Sequence, residues 1–182
     1  MSLSRRFVLA ASLPAIVFAS GPAFAAPASE INRDVSEALE RLTRTNETAG
    51  NISKKARAVL VFPKIIKAGL ILGGSYGEGA LREGGKTVNY YSSASASYGL
   101  QAGAQSYAYA VFLMNDSALK YLRESKGWEI GVGPTVVIVN DGVAKNLSST
   151  TLQDDAYAFI FGQQGLMAGV SIEGSKITRI ER

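Results

Sequence analysis

Seven glycines between residues 69 and 85, at positions 69, 73, 74, 77, 79, 84 and 85, constrain this chain most. Each would cost a helix about 1 kcal/mol relative to alanine, so the segment is read as extended rather than helical. Glu83-Gly84-Gly85-Lys86 is a good turn sequence. Gly69 to Arg82 and Lys86 to Ser97 are therefore expected to form a β-hairpin or neighbouring strands. Gly99 to Met114 continues the extended pattern with small and aromatic residues.

Helical signals flank this region. Ile31, Val35, Ala38, Leu39 and Leu42 recur at helical spacing, opposite a mixed charged face of Glu30, Arg33, Asp34, Glu37, Glu40, Arg41 and Arg44, which predicts an amphipathic helix. Gly50 and Asn51 are expected to break the chain before a short helical turn from Ile52 to Arg57. Ala58 to Phe62 then reads as a buried strand that Pro63 ends. Asn115-Asp116-Ser117 predicts the cap of a helix of about two turns, closed by Lys126-Gly127. Val132 to Val139 reads as strand, Asn140-Asp141-Gly142 as a tight turn, Val143 to Leu147 as a return strand and Ser148 to Asp154 as loop. Tyr157 to Phe161, a Gln163-Gln164 turn, Leu166 to Ile172 and Lys176 to Ile180 close the chain as two or three strands. Strands in runs, with helices at the front and in the middle, imply an α+β fold: an N-terminal amphipathic helix, one central short helix and a curved, largely antiparallel sheet or partial barrel.

Residues 1–25 read as a signal peptide. Arg5 and Arg6 precede the uncharged, mostly apolar stretch Phe7 to Ala19, and Ala23-Phe24-Ala25 has the form of a cleavage site. The twin arginines also resemble a twin-arginine export signal, with the aromatic residue one place early. Cleavage near Ala25 would leave residues 26–182 as a single domain, with 17 basic against 15 acidic side chains, outside the cytoplasm. A net charge so near zero says little about partners, and nucleic acid is not expected.

Several chemistries are excluded by composition. With no cysteine and no histidine, thiol catalysis, disulfides, thiolate zinc sites and Ser-His-Asp mechanisms are unavailable, and no cofactor or metal is expected. Gly85-Lys86-Thr87 falls short of a phosphate-binding loop because Ala80 stands where that loop needs glycine. Asp154-Asp155 and Glu78 are the only obvious starting points for carboxylate hydrolysis. Adjacent carboxylates on a strand point to opposite faces, so a loop or surface pair is the simpler reading.

The clearest local charge bias is Lys54, Lys55, Arg57, Lys64 and Lys67, five cations within fourteen residues and no acid among them. Beside the apolar Val59 to Phe62 strand they suit an anionic lipid headgroup, each cation near such a surface contributing on the order of 1 kcal/mol. The alternative is an ordinary solvated rim. Tyr90-Tyr91 and Tyr107-x-Tyr109 would line a ligand groove or simply cover a sheet.

Separate motifs in order resemble the SYLF domain family. They are Ala58-Val59-Leu60-Val61-Phe62-Pro63-Lys64 with Lys67-Ala68-Gly69, then Gly73-Gly74 and Gly77-Glu78-Gly79, then Tyr98 to Gln105, and finally Gly165 to Gly174. Tyr90-Tyr91-Ser92, where the family often has Trp-Ser, and Phe161-Gly162-Gln163-Gln164, in place of a serine-rich turn, depart from the pattern. The resemblance implies a non-enzymatic lipid-binding module, known in eukaryotic relatives for phosphoinositide recognition and in some for actin contact. For an exported chain it implies a periplasmic protein contacting anionic phospholipid at a membrane surface through Lys54, Lys55, Arg57, Lys64 and Lys67. A structural or protein-interaction module of the cell envelope is the alternative.

Overall fold

The computed structural model describes residues 26–69, 72–98, 103–140, 147, 152–165 and 171–182. The expected signal peptide lies outside these residues. So do residues 141–146 of the expected turn and return strand, 148–151 of the expected loop, and 166–170 of the expected strand.

α1 (Ala28–Thr45) buries the predicted stripe of Ile31, Val35, Ala38 and Leu42. Its first turn is closed by the Pro27 carbonyl, which accepts from the amides of Glu30 and Ile31 at 3.0 and 3.1 Å. Asn46 ends α1 and starts α2 (Glu47–Ser53), its amide donating to the Leu42 carbonyl and its side-chain oxygen accepting from the Ala49 amide, both at 2.9 Å. The break thus falls at Asn46, and Gly50 and Asn51 lie inside α2. A β-carbon on Gly50 would sit 3.0 Å from the Thr43 carbonyl oxygen of α1. Glycine there serves close helix packing, a role that sequence alone reads as a breaker.

Eight strands form one sheet: β1 (Ala58–Gly69), β2 (Leu72–Glu83), β3 (Lys86–Tyr98), β4 (Gly103–Leu113), β5 (Trp128–Glu129), β6 (Val136–Val139), β7 (Ala156–Gly165) and β8 (Lys176–Ile180). Their order is β5-β8-β3-β2-β1-β4-β7-β6, curled into a half-barrel. Every pairing is antiparallel except β6 with β7. The α+β fold is the one expected. The β2–β3 hairpin turns through Gly84 and Gly85, at φ +54° and +81°, the left-handed pair that a two-residue turn of this kind requires.

Three local expectations are corrected. Pro63 does not end β1; the strand slips register between Phe62 and Ile65 against β4, and a bulge is where proline costs no ladder bond. Gln163 and Gln164 are not a turn, because β7 runs on to Gly165 past an irregularity at Gly162, whose φ is +62°. The strand expected from Val132 begins only at Val136, since Gly131 and Gly133 bend the chain at φ +103° and +87°.

The two faces of the sheet bury different cores. α1 and α2 cover Val59, Val61, Ala80, Ala110, Phe112, Tyr157 and Phe159. On the other face α3 (Asp116–Glu124) and Trp128 pack with Leu60, Phe62, Leu81, Tyr91, Tyr109, Val111 and Ile177. α3 is capped as expected by Asn115, whose side-chain oxygen accepts from the Ala118 amide at 2.9 Å. Trp128 donates from Nε1 to the Val132 carbonyl at 3.0 Å, so its one polar atom is satisfied in the core.

Candidate functional site

The five sequence-singled cations fall into two groups because β1 runs between them. Lys54 caps the C-terminus of α2, and Lys54 and Lys55, both exposed, border a cleft of about 380 Å³ with Thr48, Asn51, Ile52, Leu147 and Leu152. Arg57 precedes β1, its guanidinium 3.4 Å from Asp116 with both side chains open to solvent, a pair of little energetic consequence. Lys64 and Lys67 lie on the far half of β1. At about 3.3 Å per residue, the seven positions from Arg57 to Lys64 carry the chain some 20 Å along the strand.

That far end of the sheet, here termed distal, is where Gly69 faces Gly73 and Gly103, Leu72 faces Tyr98 and Gln105 faces Gly165. α1 and α2 do not cover its outer surface. Ile66 and Tyr76, opposite one another across β1 and β2, are 52% and 53% exposed, and Leu72 is 74% exposed. Ala68, Ala94, Ala96 and Ala104 are exposed beside them. No charged side chain occurs between Ala68 and Gly77 or between Thr87 and Asn115. Exposed apolar side chains contiguous over several strands mark an interaction surface rather than ordinary scatter.

Charge returns at the border of this surface. Lys64 lines clefts shared with Asp34, Glu37 and Glu78, and among the described residues neither Lys64 nor Lys67 forms an ion pair. Glu78 is engaged, receiving Arg182 through two guanidinium nitrogens and the Tyr76 hydroxyl at 2.9 Å. Burial, followed by the bond to Glu78, pushes the Tyr76 hydroxyl up.

The α3 face changes character toward the same end. Phe62 and Tyr109 pack at 4.7 Å between ring centroids, and Tyr107 stacks on Tyr109 at 6.5 Å. Tyr109 is fully buried and donates to Ser93 Oγ at 2.6 Å; its hydroxyl is pushed far up by that burial. Beyond the rings the face is polar. Lys67 stands directly opposite Ser75 on one side and Gln105 on the other, and residues so paired share a face. Ser75 and Gln105 are each 6% exposed, and the Ser75 and Ser95 hydroxyls lie 2.7 Å apart. Burial raises the Tyr107 hydroxyl. Gln105 Nε2 is buried and has no hydrogen-bond partner among the described residues.

The carboxylates that sequence offered for hydrolysis serve the scaffold. Asp155 accepts from Asn115 Nδ2 at 2.8 Å and from the Thr135 amide at 2.9 Å, and these bonds hold it below the usual carboxylate range. Asp154 meets the Tyr157 hydroxyl at 3.2 Å. Among the described residues no group of acidic side chains is placed to hold a metal. Ile66, Leu72, Tyr76, Ser75, Ser95 and Gln105 were not singled out by sequence reasoning. Apart from Ile66, which Lys67 follows, their signal is the two charge-free stretches, which become a surface only once strand register aligns them.

A curled sheet with a helix-covered core leaves one bare, apolar end beside Lys64, a surface suited to binding. Residues 94–181 match the Ysc84 family, described as Las17-binding protein actin regulator, and this match agrees with the SYLF resemblance of the motifs. The match takes in the Tyr98 to Gln105 and Gly165 to Gly174 motifs and starts beyond Ala58 to Gly79. A comparison with curated proteins gives no match.

Proposed function

We propose that this protein binds anionic phospholipid at a membrane surface, outside the cytoplasm, with the distal end of its sheet as the contact. The SYLF family is one of lipid- and actin-binding modules, and an exported chain would meet lipid rather than cytoplasmic actin. The observation that carries the reading is the exposed, uncharged face of Ile66, Leu72 and Tyr76, bordered by Lys64 and with Lys67 on the opposite face of the same end, neither lysine being in an ion pair among the described residues. No helix among the described residues is long and apolar enough to cross a membrane, so contact is read as peripheral. From Ile66 and Tyr76 to the strand ends is three or four residues, about 10 Å, which matches the depth of an interfacial insertion. A cut after Ala25 would leave α1, which begins at Ala28, whole.

Sedimentation with vesicles of phosphatidylcholine plus an anionic lipid, at low and high salt, tests the reading. Binding that weakens with salt is expected, and Lys64→Glu with Lys67→Glu should lower it at least tenfold while the thermal melt is retained. No binding to anionic vesicles at low salt would sink the proposal. N-terminal sequencing of the periplasmic fraction should find a chain beginning at Ala26, and an intact Met1 terminus there would count against cleavage.

A further inference from the structure

Resting on the reading that the distal end meets lipid, we infer that the polar part of its α3 face is a headgroup site for a singly charged, hydroxyl-bearing phosphodiester of the glycerol-phosphate class. Lys67 would take the phosphate, and Gln105, Ser75 and Ser95 the hydroxyls.

Four observations converge. Lys67 sits between Ser75 and Gln105 across adjacent strands and shares their face. Gln105 is 6% exposed, and its Nε2 finds no acceptor among the described residues. A buried amide donor without a partner is uncommon and costly, and a ligand oxygen in reach would satisfy it. The Ser75 and Ser95 hydroxyls already lie within hydrogen-bonding distance of each other, and such hydroxyls both donate and accept, as a polyol requires. The described residues place no carboxylate in an ion pair with Lys67, so its charge is available to an anion.

The count of charges sets the ligand class. One cation among neutral donors balances one phosphodiester charge. A multiply phosphorylated ring would need several more cations on this face. A headgroup that carries its own ammonium, as serine, ethanolamine and choline headgroups do, would bring like charge toward Lys67. Glycerol phosphate brings one negative charge and hydroxyls.

The test compares phosphatidylcholine vesicles containing equal fractions of phosphatidylglycerol or phosphatidylserine, with soluble glycerophosphoglycerol as competitor. The full chain is expected to prefer phosphatidylglycerol several-fold at equal vesicle charge and to be displaced by the competitor. Gln105→Leu and Lys67→Met should abolish that preference. Ser95→Ala, the mildest change, should reduce it with an unaltered melt, which covers the case in which the larger substitutions unfold the protein. Ile66→Ser with Leu72→Ser should instead weaken binding to both vesicles equally. Equal binding of the two vesicles by the unmodified chain, or a preference untouched by these site substitutions, overturns the inference while membrane binding stands. If no vesicle is bound, that reading fails, and titration with glycerophosphoglycerol alone decides. Saturable binding lost in Lys67→Met keeps the site, and no binding removes it.

Discussion

Gly79 has no side chain because β1 curls over it: a β-carbon there would overlap the Val61 carbonyl oxygen and press on the Phe62 ring. Gly84 is glycine for a different reason, its φ of +54°, and has open space around it. Gly79→Ala should therefore destabilise by about 1–3 kcal/mol through overpacking against backbone, and Gly84→Ala by about 1 kcal/mol through left-handed strain. Urea melts that rank the two the other way would contradict this account of the curl. Asp155 makes a second prediction at this scale. Its folded-state pKa is depressed, so its contribution is complete above its ordinary value of 3.8 and is lost as pH falls through the lower folded value. The melting temperature of the unmodified protein should drop on acidification below about pH 4, and Asp155→Asn should flatten that drop while lowering stability at pH 7 by about 1 kcal/mol.

Elements are held in place by a few side chains at their ends. Asn46 and Asn115 each cap a helix, and Asn115 also reaches Asp155, tying the start of α3 to the start of β7. Asn46→Ala is expected to cost about 1 kcal/mol, and Asn115→Ala more, because it also strips a partner from a carboxylate. The C-terminus is secured by Arg182 on Glu78, with the two side chains only 17% and 12% exposed. Arg182→Met should cost about 2 kcal/mol by leaving Glu78 half-buried and unpaired, and Glu78→Gln in the same background should recover part of it. Equal stability of Arg182→Met and the unmodified chain would show that the pair is only surface decoration.

Across the whole molecule, the sheet order makes the fold indivisible where the family match begins. β1 and β2 lie between β3 and β4, so a fragment of residues 94–182 would have β4 and β8 with no strands to join them. Such a fragment should lack a cooperative thermal transition, whereas residues 26–182 should melt as one unit; a well-dispersed NMR spectrum from the fragment would refute this. The same topology places the charge-free stretches of β1, β2, β3 and β4 at one end, and this end is the proposed membrane contact. Its apolar face lies exposed because α1 and α2 cover only the half of the sheet nearer the start of β1.

How much of this was legible beforehand follows from the range of each interaction. The stripe of α1, the Asn115 cap, the Gly84-Gly85 turn and the strands on either side of it depend on neighbours a few residues apart, and the family motifs are likewise written along the chain. The α+β class followed from them. Pro63 and Gln163-Gln164 were misread because a bulge is defined by the strand opposite, and Gly50 because its reason lies in the α1 carbonyl it touches. The candidate site divides in the same way. Sequence grouped five cations by proximity along the chain, but a strand extends, so β1 carries Lys64 and Lys67 to one end and leaves Lys54, Lys55 and Arg57 at the other. Composition alone set the chemistry available, since a chain without cysteine or histidine has few catalytic groups. Only pairing across β1, β2 and β4 brought Lys67, Ser75 and Gln105 together, because residues 8 to 38 positions apart meet through register, which no local pattern encodes.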